Sequence, residues 1–164
     1  MEIPVTGMTY QNIRGIDADV CELYGIQLQT GEGGEPVRYA YKYPHTVKYR
    51  LHSDKSKSWV KDRGLGMNHL FGPDFNAGTS QRIYLTEGEF DAASLYQILG
   101  KTFPVKSLPS ASIGEKFIKH NHAYLSSFRE IIYAGELDAA GRTAADKLYH
   151  CLLYTSDAAD DRGC

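Results

Sequence analysis

Residues 83–100 read Ile83-Tyr84-Leu85-Thr86-Glu87-Gly88-Glu89-Phe90-Asp91-Ala92-Ala93-Ser94-Leu95-Tyr96-Gln97-Ile98-Leu99-Gly100. The apolar run Ile83 to Leu85 has the composition of a buried strand, Glu87-Gly88-Glu89 forms a turn, and Ala92, Leu95, Tyr96 and Leu99 recur at helical spacing up to Gly100. The unit is strand, turn, helix. It returns as Val105 to Leu108 before a helix near Glu115 to Ser126, and again as Ile131-Ile132-Tyr133-Ala134 before a helix from about Ala139. Three such units in succession predict an α/β fold, a parallel sheet with helices on its faces.

Upstream the character differs. Asp17 can cap a short helix carrying Val20, Leu23 and Tyr24, with Gly25 where it should stop. Gly31, Gly33 and Gly34 then make a turn, and Val37 to Tyr43 and Val47 to Leu51 read as strands broken by Pro44. The expected organisation is a small basic β-rich lobe over 1–75, an α/β domain over 76–150 and a separate tail over 151–164.

In a parallel sheet chemistry collects at the C-terminal ends of strands, and the acidic residues fall there. Glu87 follows the first strand of the domain; Glu136 and Asp138 follow the third. In an extended segment positions 136 and 138 point to one side, so two carboxylates can face one ion. Magnesium takes hard oxygen ligands and bridges carboxylates to phosphates, so the placement suits phosphoryl chemistry. The plainer alternative is that Asp138 caps the last helix and Glu87 makes a surface salt bridge.

The net charge of -2 excludes a uniformly basic nucleic-acid binder, but the charges are unevenly spread. Between Arg38 and Arg63 stand Arg38, Lys42, Lys48, Arg50, Lys55, Lys57, Lys61 and Arg63 against Asp54 and Asp62, eight minus two, or +6. Tyr39, Tyr41, Tyr43, Tyr49 and Trp59 are interleaved with them. That mixture of phosphate-pairing and base-stacking groups suits single strands and nucleotides, and it also suits a solvated face of a β-ribbon.

Leu85-Thr86-Glu87-Gly88-Glu89-Phe90-Asp91-Ala92, then Ser107-Leu108-Pro109-Ser110, then Glu136-Leu137-Asp138-Ala139-Ala140-Gly141 resemble, in order and spacing, the motifs of the TOPRIM domain. Within that superfamily the likeness is to the primase part of bacteriophage primase-helicases. It extends to Ile13-Arg14-Gly15-Ile16, Tyr24-Gly25-Ile26, Lys48-Tyr49-Arg50, Lys57-Ser58-Trp59 and Leu70-Phe71-Gly72, and spans Thr9 to about His150. The resemblance implies a DNA primase that condenses ribonucleoside triphosphates on a single-stranded DNA template, often with a C-terminal helicase. Glu87 and Asp138 would be catalytic; Glu87, Glu136 and Asp138 would hold Mg2+ or Mn2+; Lys48, Arg50 and Lys57 would contact nucleotide or template. Glu136 stands where the family usually has Asp, and a further acidic motif expected on a strand beyond the third helix does not appear. The Glu136 change and the absence of a zinc ribbon also permit a catalytically weak module that grips single-stranded DNA for an attached helicase.

No stretch approaches the roughly 18 uncharged apolar residues of a membrane span, and Met1-Glu2-Ile3-Pro4 has no signal-peptide character. The expectation is a phage-encoded protein of the bacterial cytoplasm, without membrane contact. Cys21, Cys151 and Cys164 have no paired metal-ligand spacing, which excludes a zinc ribbon here. Residues 151–161 resemble an in-frame translation of the transposase adapter used in sequencing-library preparation, so 151–164 are expected to be a non-native tail without an apolar partner.

Overall fold

The computed structural model describes residues 7–61, 68–76, 78, 81–110, 113–136 and 138–153. Asp62 and Arg63 of the basic stretch, Leu137 of the last motif and residues 154–164 of the tail, Cys164 among them, lie outside the described residues. The chain forms two compact units, Met1–Gly66 and Met67–Cys164. The boundary therefore precedes the expected one at 75. Phe71 is the reason: its main chain exchanges two hydrogen bonds with Ser107, and Leu70 packs in the core of the second unit.

In the first unit, helix α1 (Ala18–Tyr24) leads into a four-stranded antiparallel sheet, β1 (Ile26–Thr30), β2 (Pro36–Tyr43), β3 (Thr46–Leu51) and β4 (Ser58–Val60), hydrogen-bonded in sequence order. Gly25 ends α1 in the left-handed region at φ 69°, where a side chain would be strained. Asp17 makes no side-chain cap; Asn12 Oδ1 takes the amide of Ala18 at 2.8 Å instead. Val20, Cys21 and Tyr24 face inward, while Leu23, expected among them, is 45% exposed. Strands β1 and β4 fall outside the sequence expectation. The first alternates Ile26 and Leu28 with two glutamines, and the second is only three residues long, too short for a period to show.

The second unit is the predicted α/β array: β5 (Arg82–Thr86), α2 (Glu89–Ile98), β6 (Val105–Ser107), α3 (Glu115–Ser126), β7 (Glu130–Tyr133) and α4 (Ala139–Leu153). The three strands are parallel, in the order β6-β5-β7. Ile83 and Leu85 at the centre pack with Leu108, Phe117, Leu125 and Leu148 in one apolar core. Burying each such side chain contributes about 1.5–3 kcal/mol, which is why the apolar runs of β5 and β7 could be read as strands. Helix α4 continues past His150, and Leu152 packs against the same core. The expectation that the segment from 151 lacks an apolar partner is corrected at that residue: Ala144, Leu148 and Leu152 lie four apart, on one helical face.

Candidate active site

Strands β5 and β7 are parallel neighbours, with Leu85 opposite Tyr133 and the amide of Ala134 donating to the Leu85 carbonyl at 2.7 Å. Both strands therefore release their chains at one edge of the sheet, so Glu87 and Ala134 leave it at the same level. Asp138 precedes α4 and caps it, its Oδ1 accepting the amide of Gly141 at 2.7 Å. Gly141 is buried and is not among the positive-φ glycines, so space is what it provides. A Cβ there would run into the carbonyl oxygen of Glu136 and lie 2.7 Å from Glu87 Oε1. Glu87 and Asp138 thus both adjoin Gly141.

Tyr133, which the sequence reading did not single out, completes this edge. Its hydroxyl donates to Glu87 Oε1 at 2.7 Å. Burial pushes the phenol well above its usual range, and the bond to Glu87 and the charges of Glu87 and Asp138 push it further the same way. Among the described residues, Glu87 Oε2 and Asp138 Oδ2 have no protein partner. Magnesium is commonly held by one or two carboxylates together with waters and substrate phosphates, so these two oxygens fit such an ion. The Glu136 side chain is exposed, and its contact at this edge is the main-chain carbonyl. Among the described residues no three His, Cys, Asp or Glu side chains gather in a metal-binding group, so the expected three-carboxylate cluster is not formed.

A second unpredicted feature is Lys106 on β6, buried to 5% exposure. Its Nζ lies 3.4 Å from Asp74 Oδ1 and 5.0 Å from the ring centre of Tyr124. Burial pushes the ammonium below its ordinary value, and Asp74 partly offsets this. A lysine enclosed by Val105 and Ser107 in a short apolar strand was the available signal.

In the first unit, strand register sorts the basic and aromatic residues differently from the expectation. Tyr39 is opposite Arg50 and Tyr41 opposite Lys48, whereas Ala40 is opposite Tyr49 and Tyr49 opposite Trp59. Opposed residues share a face. Lys48 and Arg50 are therefore on the face of Tyr39, Tyr41 and Tyr43, and those tyrosines are core, each under 7% exposed. Alternation has turned three of the five interleaved aromatics inward. The other face carries Tyr49 stacked on Trp59 with ring centres 5.5 Å apart, and the Arg38 guanidinium 4.9 and 5.7 Å from those rings. Gln29 Oε1 holds Arg38 Nε at 2.8 Å. Lys57 lies in the turn before β4, 3.8 Å from Asp54, outside the strand that carries Lys48 and Arg50.

The Toprim-like family profile matches residues 84–160, which contain Glu87, Glu136 and Asp138. The second unit is a TOPRIM domain. Over 137 residues the chain is 28% identical to the DNA helicase/primase of Enterobacteria phage T3, covering 82% of this chain and 24% of the relative. Among solved structures it resembles a chain from the bacteriophage T7 lagging-strand DNA polymerase interacting with primase domains bound to an RNA/DNA hybrid and dTTP. That likeness has a TM-score of 0.74 at 25% identity and covers 88% of this chain and 76% of the other. It also resembles the primase fragment of the T7 primase-helicase, with a TM-score of 0.71, 23% identity, and 88% and 62% coverage. Residues 84–160 thus match the Toprim-like family, and the chain is similar to the primase part of phage primase-helicases, spanning about a quarter of the length of its T3 relative. TOPRIM primases generally use a divalent metal. Among the described residues no helix is long and apolar enough to cross a membrane.

Proposed function

We propose that this chain is the polymerase core of a DNA primase, condensing ribonucleoside triphosphates on single-stranded DNA with Mg2+, or Mn2+ in its place, as part of a primase-helicase in the cytoplasm of a phage-infected cell. One observation carries the reading: Glu87 and Asp138, from adjacent parallel strand ends, meet at Gly141, each with an oxygen that has no protein partner among the described residues. The metal supplies charge neutralisation on the transferring phosphoryl group and a more acidic attacking hydroxyl. Glu87 and Asp138 hold it, and Glu87 can also accept the proton of the primer 3′ hydroxyl. Glu136 is the third acidic group of this edge. Lys48, Arg50 and Lys57 pair with nucleotide or template phosphates.

A second reading has its own support. The exposed Glu136 side chain and the absence of a three-carboxylate group among the described residues favour a catalytically weak module that grips single-stranded DNA for an attached helicase. Ribonucleotide condensation on a single-stranded template, followed on a gel, separates the two. Primase activity predicts short RNA products that vanish with chelator and fall on the order of 100-fold in Asp138→Asn, the usual scale for removing one transition-state electrostatic contact. Tight template binding without product would select the gripping module.

A further inference from the structure

The reach of Tyr133 to Glu87 depends on Gly135. A Cβ built on Gly135 would fall on Cε1, Cζ and the hydroxyl of the Tyr133 ring, so the phenol lies directly over that backbone. Gly135 is not among the positive-φ glycines, so backbone conformation does not require glycine there. Space for the ring does. A tyrosine two residues before a glycine thus folds its hydroxyl back across the strand end to the neighbouring strand's glutamate, at 2.7 Å.

A glutamate at a strand end has three side-chain torsions to immobilise before its carboxylate can serve an ion or accept a proton in a fixed direction. A hydrogen bond to one oxygen removes most of that freedom in advance and leaves the other oxygen facing outward. We infer that Tyr133, given room by Gly135, is a positioning residue that holds Glu87 Oε1 against Gly141, next to the Asp138 cap, and leaves Oε2 for the ion. The inference rests on the proposed metal-dependent reading and extends it to Tyr133 and Gly135. The hydroxyl of Tyr133 donates to Glu87, and its role is exercised through that carboxylate.

The test uses the full chain and three variants, Tyr133→Phe, Gly135→Ala and Asp138→Asn. Mg2+ affinity is measured by calorimetric titration, and primer synthesis is measured across Mg2+ concentration. Tyr133→Phe retains the ring and removes only the donor, so its thermal midpoint stays near the parent's. Its Mg2+ affinity is expected to fall about 3- to 10-fold, the usual worth of one hydrogen bond. Turnover should fall with it, nucleotide KM should stay unchanged, and excess Mg2+ should restore the rate. Gly135→Ala displaces the ring and should reproduce the defect, and the double variant should be no worse than either single one because both break one link. If Asp138→Asn weakens Mg2+ binding while Tyr133→Phe and Gly135→Ala bind it as the parent does, the positioning role is overturned and the metal site stands. If the parent chain itself binds no Mg2+, the metal-dependent reading fails and the positioning role fails with it.

Discussion

The amide of Gly141 donates to Asp138 Oδ1 at 2.7 Å, and the Cα of the same glycine faces Glu87 from so close that a Cβ would lie 2.7 Å from its Oε1. One residue therefore serves as helix amide, spacer and meeting point of two strand ends. In an ordinary helix interior Gly→Ala stabilises by about 1 kcal/mol. Here the added Cβ also meets the main-chain carbonyl of Glu136, which cannot swing aside as a long side chain does. Gly141→Ala is expected to lower stability by about 1–3 kcal/mol, the usual cost of overpacking, and to weaken Mg2+ binding as well. Chemical denaturation with and without Mg2+ measures both, and an unchanged or raised midpoint would contradict the tight approach.

Lys106 makes stability depend on pH. Its folded value lies below the 10.5 of a free lysine, chiefly through burial. Between the two values the unfolded chain holds more protons, so stability rises with pH across that window and levels off above 10.5, where both states are neutral. Tyr124, pushed up from 10.0 to about 12 by burial, acts in the opposite direction only above 10.0. The comparison is therefore read below that value. Lys106→Met removes the buried charge and leaves Asp74, which is fully exposed, in water. The variant is expected to be more stable near neutrality by about 1 kcal/mol or more, with the gap closing as pH rises. Parallel denaturation curves at all pH values would refute it.

The three strand-turn-helix units were legible because each opens on a short apolar run flanked by turn residues, as Ile83 to Leu85 before Glu87-Gly88 shows. Asp138 caps the last helix through one oxygen, as the plainer reading of the sequence had it, and its second oxygen is the one the proposed metal role uses. What could not be read were relationships between strands. Tyr133 reaches Glu87 across β5 and β7, 46 positions apart, and no local pattern encodes that distance. The basic stretch misled for the same reason. Composition placed tyrosines and cations together, whereas cross-strand register put Tyr39, Tyr41 and Tyr43 in the core and paired Tyr49 with Trp59 on the opposite face.

Leu152 tests where the fold ends. It packs on the core through the face of α4 that carries Ala144 and Leu148, although the sequence around it resembles adapter. Leu152→Ala removes partly buried surface and is expected to cost about 1 kcal/mol, or roughly 3 °C in Tm for a chain of this size. An unchanged Tm would restore the expectation that the segment from 151 on has no apolar partner.

Single-stranded DNA binding separates the two faces of the first unit. The triple change Lys48→Ala, Arg50→Ala and Lys57→Ala removes cations, so it should flatten the dependence of log affinity on log salt by about 0.7 per lost phosphate contact, or roughly 2 if all three make one. Trp59, 38% exposed and stacked on Tyr49 beneath the Arg38 guanidinium, offers a flat surface to a base. Trp59→Ala should weaken binding by about 1–3 kcal/mol at every salt concentration and leave the slope alone, because stacking releases no counterions. The two variants thus differ in slope and not merely in affinity, and fluorescence anisotropy with a labelled oligonucleotide at four or five salt concentrations resolves them. If Trp59→Ala binds as the parent does while the triple variant loses slope, DNA is held on the Lys48 and Arg50 side. Should both variants bind with the parent's affinity and slope, the first unit is not the DNA-gripping element, and both functional readings would have to find their template contacts in the second unit.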